Sequence, residues 1–203
     1  MRAAFYDTET TGMPLWGEPS EDPRQPHIVQ IAALLVDLDT WATVASIDLT
    51  IAPTDWEIPA DVVAIHGITT EHARAVGVSE TLALELFCQL WARAQVRVAH
   101  NESFDARIIR CALHRFAGDA GLPGPEHWKA GIAECTQLMS TPILKLPATD
   151  KMRRAGMGSR VKSANLREAY RHFMGTELVG AHSAMADAQG CRDVYKAIRS
   201  RAA

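Results

Sequence analysis

Apolar residues recur along this chain in two rhythms, and the switch between them lays out the elements. Residues 3–9 run from small and aromatic side chains into two acids, and the run stops at Gly12, which predicts a strand ending in a turn. Residues 28–36 are almost continuously apolar, as a strand buried on both faces would be. Residues 43–51 alternate more and end before Pro53, giving a third strand. These three are expected to form an antiparallel meander. From Pro59 the spacing turns helical. Short helices are expected over 59–64 and, capped by Thr69 or Thr70, through Ala75. Ser79 caps a longer helix whose stripe Leu82, Leu86, Phe87, Leu90, Trp91 and Ala94 should face a sheet.

A short apolar strand follows at 96–99, then a helix over 103–116, a strand at 132–136 and a helix over 137–145. Two helices, 165–174 and 183–199, close the chain. Strands first, then alternating helices and strands, predict an α/β domain with a five-stranded mixed sheet, three strands antiparallel and two from crossover units. The intervening stretches read as loops. Residues 13–27 carry Pro14, Pro19, Pro23 and Pro26. Residues 118–129 are rich in Gly and Pro, and 146–163 hold Lys151, Arg153, Arg154, Arg160 and Lys162, a concentration suited to phosphates.

The pattern also places acids where apolar residues belong. Side chains alternate along a strand, so Asp7 and Glu9 share a face with Ala3 and Phe5. In the last helix Asp187 begins the stripe Asp187, Cys191, Val194, Ile198, and near residue 103 Asp105 heads Ile108, Ile109 and Ala112. An isolated carboxylate on such a face costs several kcal/mol or stays protonated. Four of them share one explanation, a divalent cation, and oxygen ligands without Cys suit Mg²⁺ or Mn²⁺. His182, five residues before Asp187, could take a proton from water at neutral pH.

Composition narrows the setting. The 203 residues are 47% hydrophobic and 22% charged with net charge −3, as expected for one globular domain, 1–203, with no global basic field. Cys88, Cys111, Cys135 and Cys191 are far apart, which argues against zinc and disulfides and for a reducing, cytoplasmic setting. With no secretory leader pattern and no apolar run long enough to span a bilayer, no membrane partner is expected.

Three segments then stand together: Asp7-Thr8-Glu9-Thr10-Thr11-Gly12, His100-Asn101-Glu102-Ser103-Phe104-Asp105, and His182-Ser183-Ala184-Met185-Ala186-Asp187. In order and spacing they resemble the three motifs of the DEDDh 3′–5′ exonucleases, the family of the epsilon proofreading subunit, RNase T and oligoribonuclease. The two long loops look more like stand-alone phage or prophage exonucleases. The resemblance implies a ribonuclease H-like sheet of order 3-2-1-4-5, flanked by helices. It also implies two Mg²⁺ or Mn²⁺ ions held by Asp7, Glu9, Asp105 and Asp187, with His182 as general base. Ile65-His66-Gly67-Ile68-Thr69 is similar to the element that touches the terminal nucleotide. His66 and the main chain around Thr8, with Asp61, Asn101 and Phe104, would bind substrate. The first reading is an exonuclease releasing nucleoside 5′-monophosphates from single-stranded DNA. The alternatives are an exoribonuclease acting on RNA 3′ ends and a proofreading subunit acting through a DNA polymerase, and a second copy of the chain is a further candidate partner.

Overall fold

The computed structural model describes residues 1–119 and 121–201. Its centre is β1 (Arg2–Thr10), which pairs antiparallel with β2 (Ile28–Asp37) on one side and parallel with β4 (Val96–Ala99) on the other. β3 (Thr43–Thr50) extends the antiparallel side, and β5 (Ala133–Cys135) the parallel side. The order β3-β2-β1-β4-β5 is the one expected.

Alternation along β1 divides the core in two. Ala3 and Phe5 face one way, onto Cys191 and Tyr195 of the closing helix α9 (Ala184–Arg201). Ala4 and Tyr6 face the other way, onto α3 (Glu80–Trp91) and α4 (Glu102–Arg115). There Tyr6, Phe87, Trp91 and Trp128 form an aromatic cluster with centroids 4.8–5.8 Å apart, Trp128 meeting the other three edge-to-face. β2 is apolar on both faces because helices cover both, and Gln30 is its only polar interior residue. Short helices α1 (Ala60–His66) and α2 (Thr70–Val76) pack through Val62 and Ala73, with Ile58 ahead of α1, onto Val29. Helices α6 (Thr136–Leu144) and α8 (Leu166–Met174) support α9. Asn165 and Glu168 close a reciprocal capping box on α8.

Three expectations are corrected. The buried side of α3 is Ala83, Leu84, Phe87, Cys88, Leu90 and Trp91, while Leu82 and Leu86 are exposed. The stripe is rotated because Glu80 turns inward at the first helical turn to meet Arg115 and His27. The stretch 118–129 is not all loop: α5 (Pro125–Ala130) starts with proline at its first turn, where no amide partner is lost, and buries Trp128. Within 146–163, Thr149 caps a single helical turn, α7 (Asp150–Arg154). Residues 13–27, by contrast, hold no helix or strand, as their prolines require. α4 pins them instead: Arg107 donates to the Leu15 and Glu18 carbonyls, Arg110 to Ser20 Oγ, and Arg115 to the Gln25 and Pro26 carbonyls.

Candidate active site

Asp7 and Glu9 lie at the C-terminal end of β1, on the face turned toward α9. Asp187 comes from the first turn of α9, and Asp105 from the first turn of α4. Asp105 is tied to the strand, since its Oδ1 accepts the Thr8 N–H at 2.9 Å and the Thr8 hydroxyl at 2.7 Å. Asp187 Oδ2 accepts the His182 N–H at 3.2 Å, while Asp187 Oδ1 is buried with no hydrogen-bond partner. The start of α9 is itself anchored by Gln30, whose Oε1 accepts the Ala184 N–H at 3.1 Å. Glu9, His182 and Asp187 each offer a ligand atom, all within 4.8 Å of one another.

The electrostatics are uniform in sign. Burial pushes Asp7 well above the usual carboxylate range, and Asp105, Asp187 and Glu9 push it further. Glu9 is raised to about 7 by burial and by Asp187. Asp105 is raised to about 7 by burial, against the lowering effect of the Thr8 hydrogen bonds. Burial raises Asp187 as well, partly offset by the His182 N–H and by the charges of His182 and Arg167. Four carboxylates that resist ionising together, one with an orphaned oxygen, are a donor set suited to hard divalent cations. The residues present fit the metal ions that the motifs imply.

A cavity of about 330 Å³ opens beside this cluster. Thr8, Glu9, Thr10, Asp61, His66 and Phe104 line it, with Met13, Gly12, Val62 and Ile65. His66 closes α1 ahead of Gly67, which adopts φ 76° as glycine readily does. Its Nδ1 accepts the Ile68 N–H at 3.1 Å, and its Nε2 is buried without a partner. Burial and the nearby His182 lower the His66 pKa, against the raising effect of the Thr10 backbone.

Asp7, Glu9, Asp105, Asp187 and His182 are thus brought to one place, with Thr8, Asp61, His66 and Phe104 around the adjoining cavity. Asn101 is not among its lining residues: it is exposed, at φ 65°, at the turn into α4. Thr8 lines the cavity with both its N–H and its hydroxyl bonded to Asp105. Sequence reasoning missed Gln30, whose signal was the single polar residue in an apolar strand. It also missed Met13, an exposed apolar side chain at the cavity mouth, whereas Ile65 there belongs to the segment expected to touch the terminal nucleotide. His100 of the second motif is a structural bridge, with Nδ1 at 2.9 Å from Thr136 Oγ1 and Nε2 at 3.0 Å from the Ala164 carbonyl. Burial lowers its pKa to about 4.

Residues 4–195 match a protein-family model described as exonuclease. None of the curated proteins compared with the chain matches it. Among solved structures, the fold is similar to E. coli exonuclease I in complex with a dT13 oligonucleotide, at TM-score 0.74 and 21% identity over 98% of this chain. The zinc-bound form of the E. coli exonuclease I–single-stranded DNA complex gives a TM-score of 0.72 at 19% identity over 98% of this chain. The metal-free form of that complex gives 0.68 at 18% identity over 98%. The chain spans 41% of the first of these structures and 40% of the other two. Among the described residues, no helix is long and apolar enough to cross a membrane.

Proposed function

From the premise that this chain belongs to the exonuclease family, as a DnaQ-like 3′–5′ exonuclease, we propose that it removes nucleoside 5′-monophosphates from the 3′ ends of single-stranded DNA. The observation that carries this reading is the junction of β1, α4 and α9, where four half-buried or buried carboxylates with raised pKa values meet beside a nucleotide-sized cavity. Support for DNA comes from the oligonucleotides in the exonuclease I complexes. In this reading residues 1–203 act as one exonuclease domain.

Asp7, Glu9, Asp105 and Asp187 would hold two divalent ions, Mg²⁺ or Mn²⁺, which supply charge stabilisation for an in-line displacement at phosphorus and acidify water. The chain's own residues do the rest. Thr8 fixes the Asp105 carboxylate, and Gln30 fixes the start of the helix that carries Asp187. His66 offers its free Nε2 to the terminal nucleotide, and Phe104 and Ile65 supply apolar surface for its base. His182 sits at φ 70° on an exposed turn, tethered to Asp187 through its backbone N–H, so its imidazole can swing toward the attacking water and accept the proton.

A second reading of His182 has an observation in its favour, since its ring nitrogen lies within 4.8 Å of ligand atoms of Glu9 and Asp187 and could bind metal directly. His182→Ala separates the two. A general base predicts turnover lowered by roughly 10²–10⁴-fold with metal affinity unchanged. A comparable fall in metal affinity, measured by calorimetric titration with Mn²⁺, makes His182 a ligand.

The primary test uses matched 5′-labelled single-stranded DNA and RNA with Mg²⁺, Mn²⁺ or EDTA, beside Asp7→Ala. The expected result is a metal-dependent ladder shortening from the 3′ end, faster on DNA and absent in the variant. Faster shortening of RNA assigns an exoribonuclease instead. No cleavage of either polymer by the folded protein points to a subunit that works through a polymerase.

A further inference from the structure

A second cavity, of about 200 Å³, lies between α4, α5 and the proline-rich loop 13–27. Trp16, Ser103, Arg107, Arg110 and Lys129 line it, and no carboxylate does. Arg97 also borders it but is committed elsewhere, paired with Glu102 at 2.8 Å and stacked over Trp128. In a chain of net charge −3 this is a local concentration of cations, in which Arg107 and Arg110 already hold the loop through Leu15, Glu18 and Ser20, and the exposed Lys129 lies 3.6 Å from Glu126. Arg107 Nε is buried there with no hydrogen-bond partner, an unfavourable state that an anionic oxygen would relieve.

Trp16 supplies the other half of the site. It is 55% exposed, on a segment that arginines of α4 hold at Leu15, Glu18 and Ser20. An indole kept in water on a pinned backbone is a ready stacking platform. The two cavities are also consecutive. Met13 and Phe104 line the first, Trp16 and Ser103 the second. Residues three apart have Cα atoms no more than about 11 Å from each other, the scale of neighbouring nucleotides.

We infer that this second cavity is a nucleotide subsite for the strand upstream of the scissile end, taking a phosphodiester on Arg107, Arg110 and Lys129 and a base against Trp16. The inference rests on the exonuclease reading and names the substrate contact that would let the enzyme distinguish a polymer from a single nucleotide. A base stacked on Trp16 holds the strand between cleavage events, and cations outside the acidic site offset its repulsion of phosphate.

The test measures binding of a labelled thymidine oligonucleotide and of thymidine 5′-monophosphate, in EDTA so that nothing is cleaved. Trp16→Ala is expected to weaken the oligonucleotide roughly 5- to 150-fold, the usual worth of a stacked base, and to leave the monophosphate unchanged. Trp16→Phe should recover most of the loss. Lys129→Ala should reduce the salt dependence of oligonucleotide binding by about 0.7 in logarithmic slope. If Trp16→Ala binds both ligands as tightly as wild type, or weakens both equally, the subsite is overturned while the exonuclease reading stands. If wild type neither binds the oligonucleotide nor shortens it with Mg²⁺, the exonuclease reading fails and the subsite falls with it.

Discussion

Glu80 and Asp7 are both acids taken out of water, and the chain treats them in opposite ways. Glu80, 7% exposed at the first turn of α3, receives Arg115 Nη1 at 2.9 Å and the Ile28 N–H at 3.2 Å, and it faces His27 Nδ1 at 2.9 Å. His27 in turn stacks on Trp56, with centroids 4.6 Å apart. Asp7 has three other carboxylates for neighbours, and among the described residues no Lys or Arg pairs with any of the four. One acid is neutralised from within the fold and serves its architecture, joining α3, β2 and the end of α4. The other four are left to be neutralised from outside. Burial of charge without an internal partner is what separates a binding site from a structural ion pair.

Substitution at Asp7 gives the sharpest contrast. Asp7→Asn should cost at least as much turnover as losing a positioned catalytic group, roughly 10²–10⁴-fold. The same change removes one of four mutually repelling carboxylates, so the metal-free protein should become more stable. For a chain of this length, each kcal/mol regained raises Tm by roughly 2–4 °C. Activity assays and thermal melts in EDTA on one preparation check both halves. An inactive variant that is also less stable would mean that Asp7 is held by structure rather than strained by the site.

The mirror experiment is Glu80→Gln, which keeps the shape and removes the charge. Losing one partner of a fully buried pair costs about 3–5 kcal/mol. Because the Arg115 side chain is 21% exposed and partly solvated, about 2–3 kcal/mol is expected here. Chemical denaturation measures the loss. Turnover per folded molecule should stay close to wild type, and a large fall would show that the two clusters are mechanically coupled.

The acids of the candidate site, which the fold brings together, were legible in the sequence, and most of what positions them was not. Asp7 and Glu9 could be paired because strand alternation is strictly two-fold. Asp105 and Asp187 could be placed because Ile108, Ile109 and Ala112, and Cys191, Val194 and Ile198, repeat at helical spacing and are buried as that spacing requires. The buried face of α3 was misread because Leu82 and Leu86 fit one helical line while Ala83, Leu84 and Cys88 fit its neighbour. The choice was made by Glu80 meeting Arg115, 35 residues away. The stitching of loop 13–27 to α4 spans separations of 89–92 residues and runs largely to backbone carbonyls, which leave no periodic trace in a sequence.

The contrast also predicts how stability responds to pH. Glu9 and Asp105 titrate at about 7 in the folded chain, above the ordinary values of 4.5 and 3.8. Between those limits the native state holds protons that the unfolded state has released. Metal-free stability should therefore fall as pH rises from about 4 through about 7, and level off above. Divalent cations remove the penalty, so the gap between Tm with Mg²⁺ and Tm with EDTA should widen across the same window. A constant gap from pH 5 to 8, measured by calorimetry, would show that these carboxylates do not bind the ion.

The smallest effect expected is at Gln30, where architecture and site meet. Its Oε1 accepts the first backbone N–H of α9, in the manner of a helix cap, and its Nε2 donates to Asp48 Oδ1 at 2.7 Å. Gln30 stands opposite Glu9 in the β1–β2 register, so the same strand pair fixes Glu9 and the entrance to the helix bearing Asp187. Gln30→Ala should cost about 0.5–2 kcal/mol, the range for losing a cap. Because it frees the start of α9 without altering any of the four clustered carboxylates, it should weaken apparent metal affinity while turnover at saturating Mg²⁺ recovers. Gln30→Glu places a fifth acid beside the cluster and should deepen the loss in EDTA. If Gln30→Ala lowers turnover equally at low and saturating Mg²⁺, Gln30 acts on the nucleic acid rather than on the seat of Asp187.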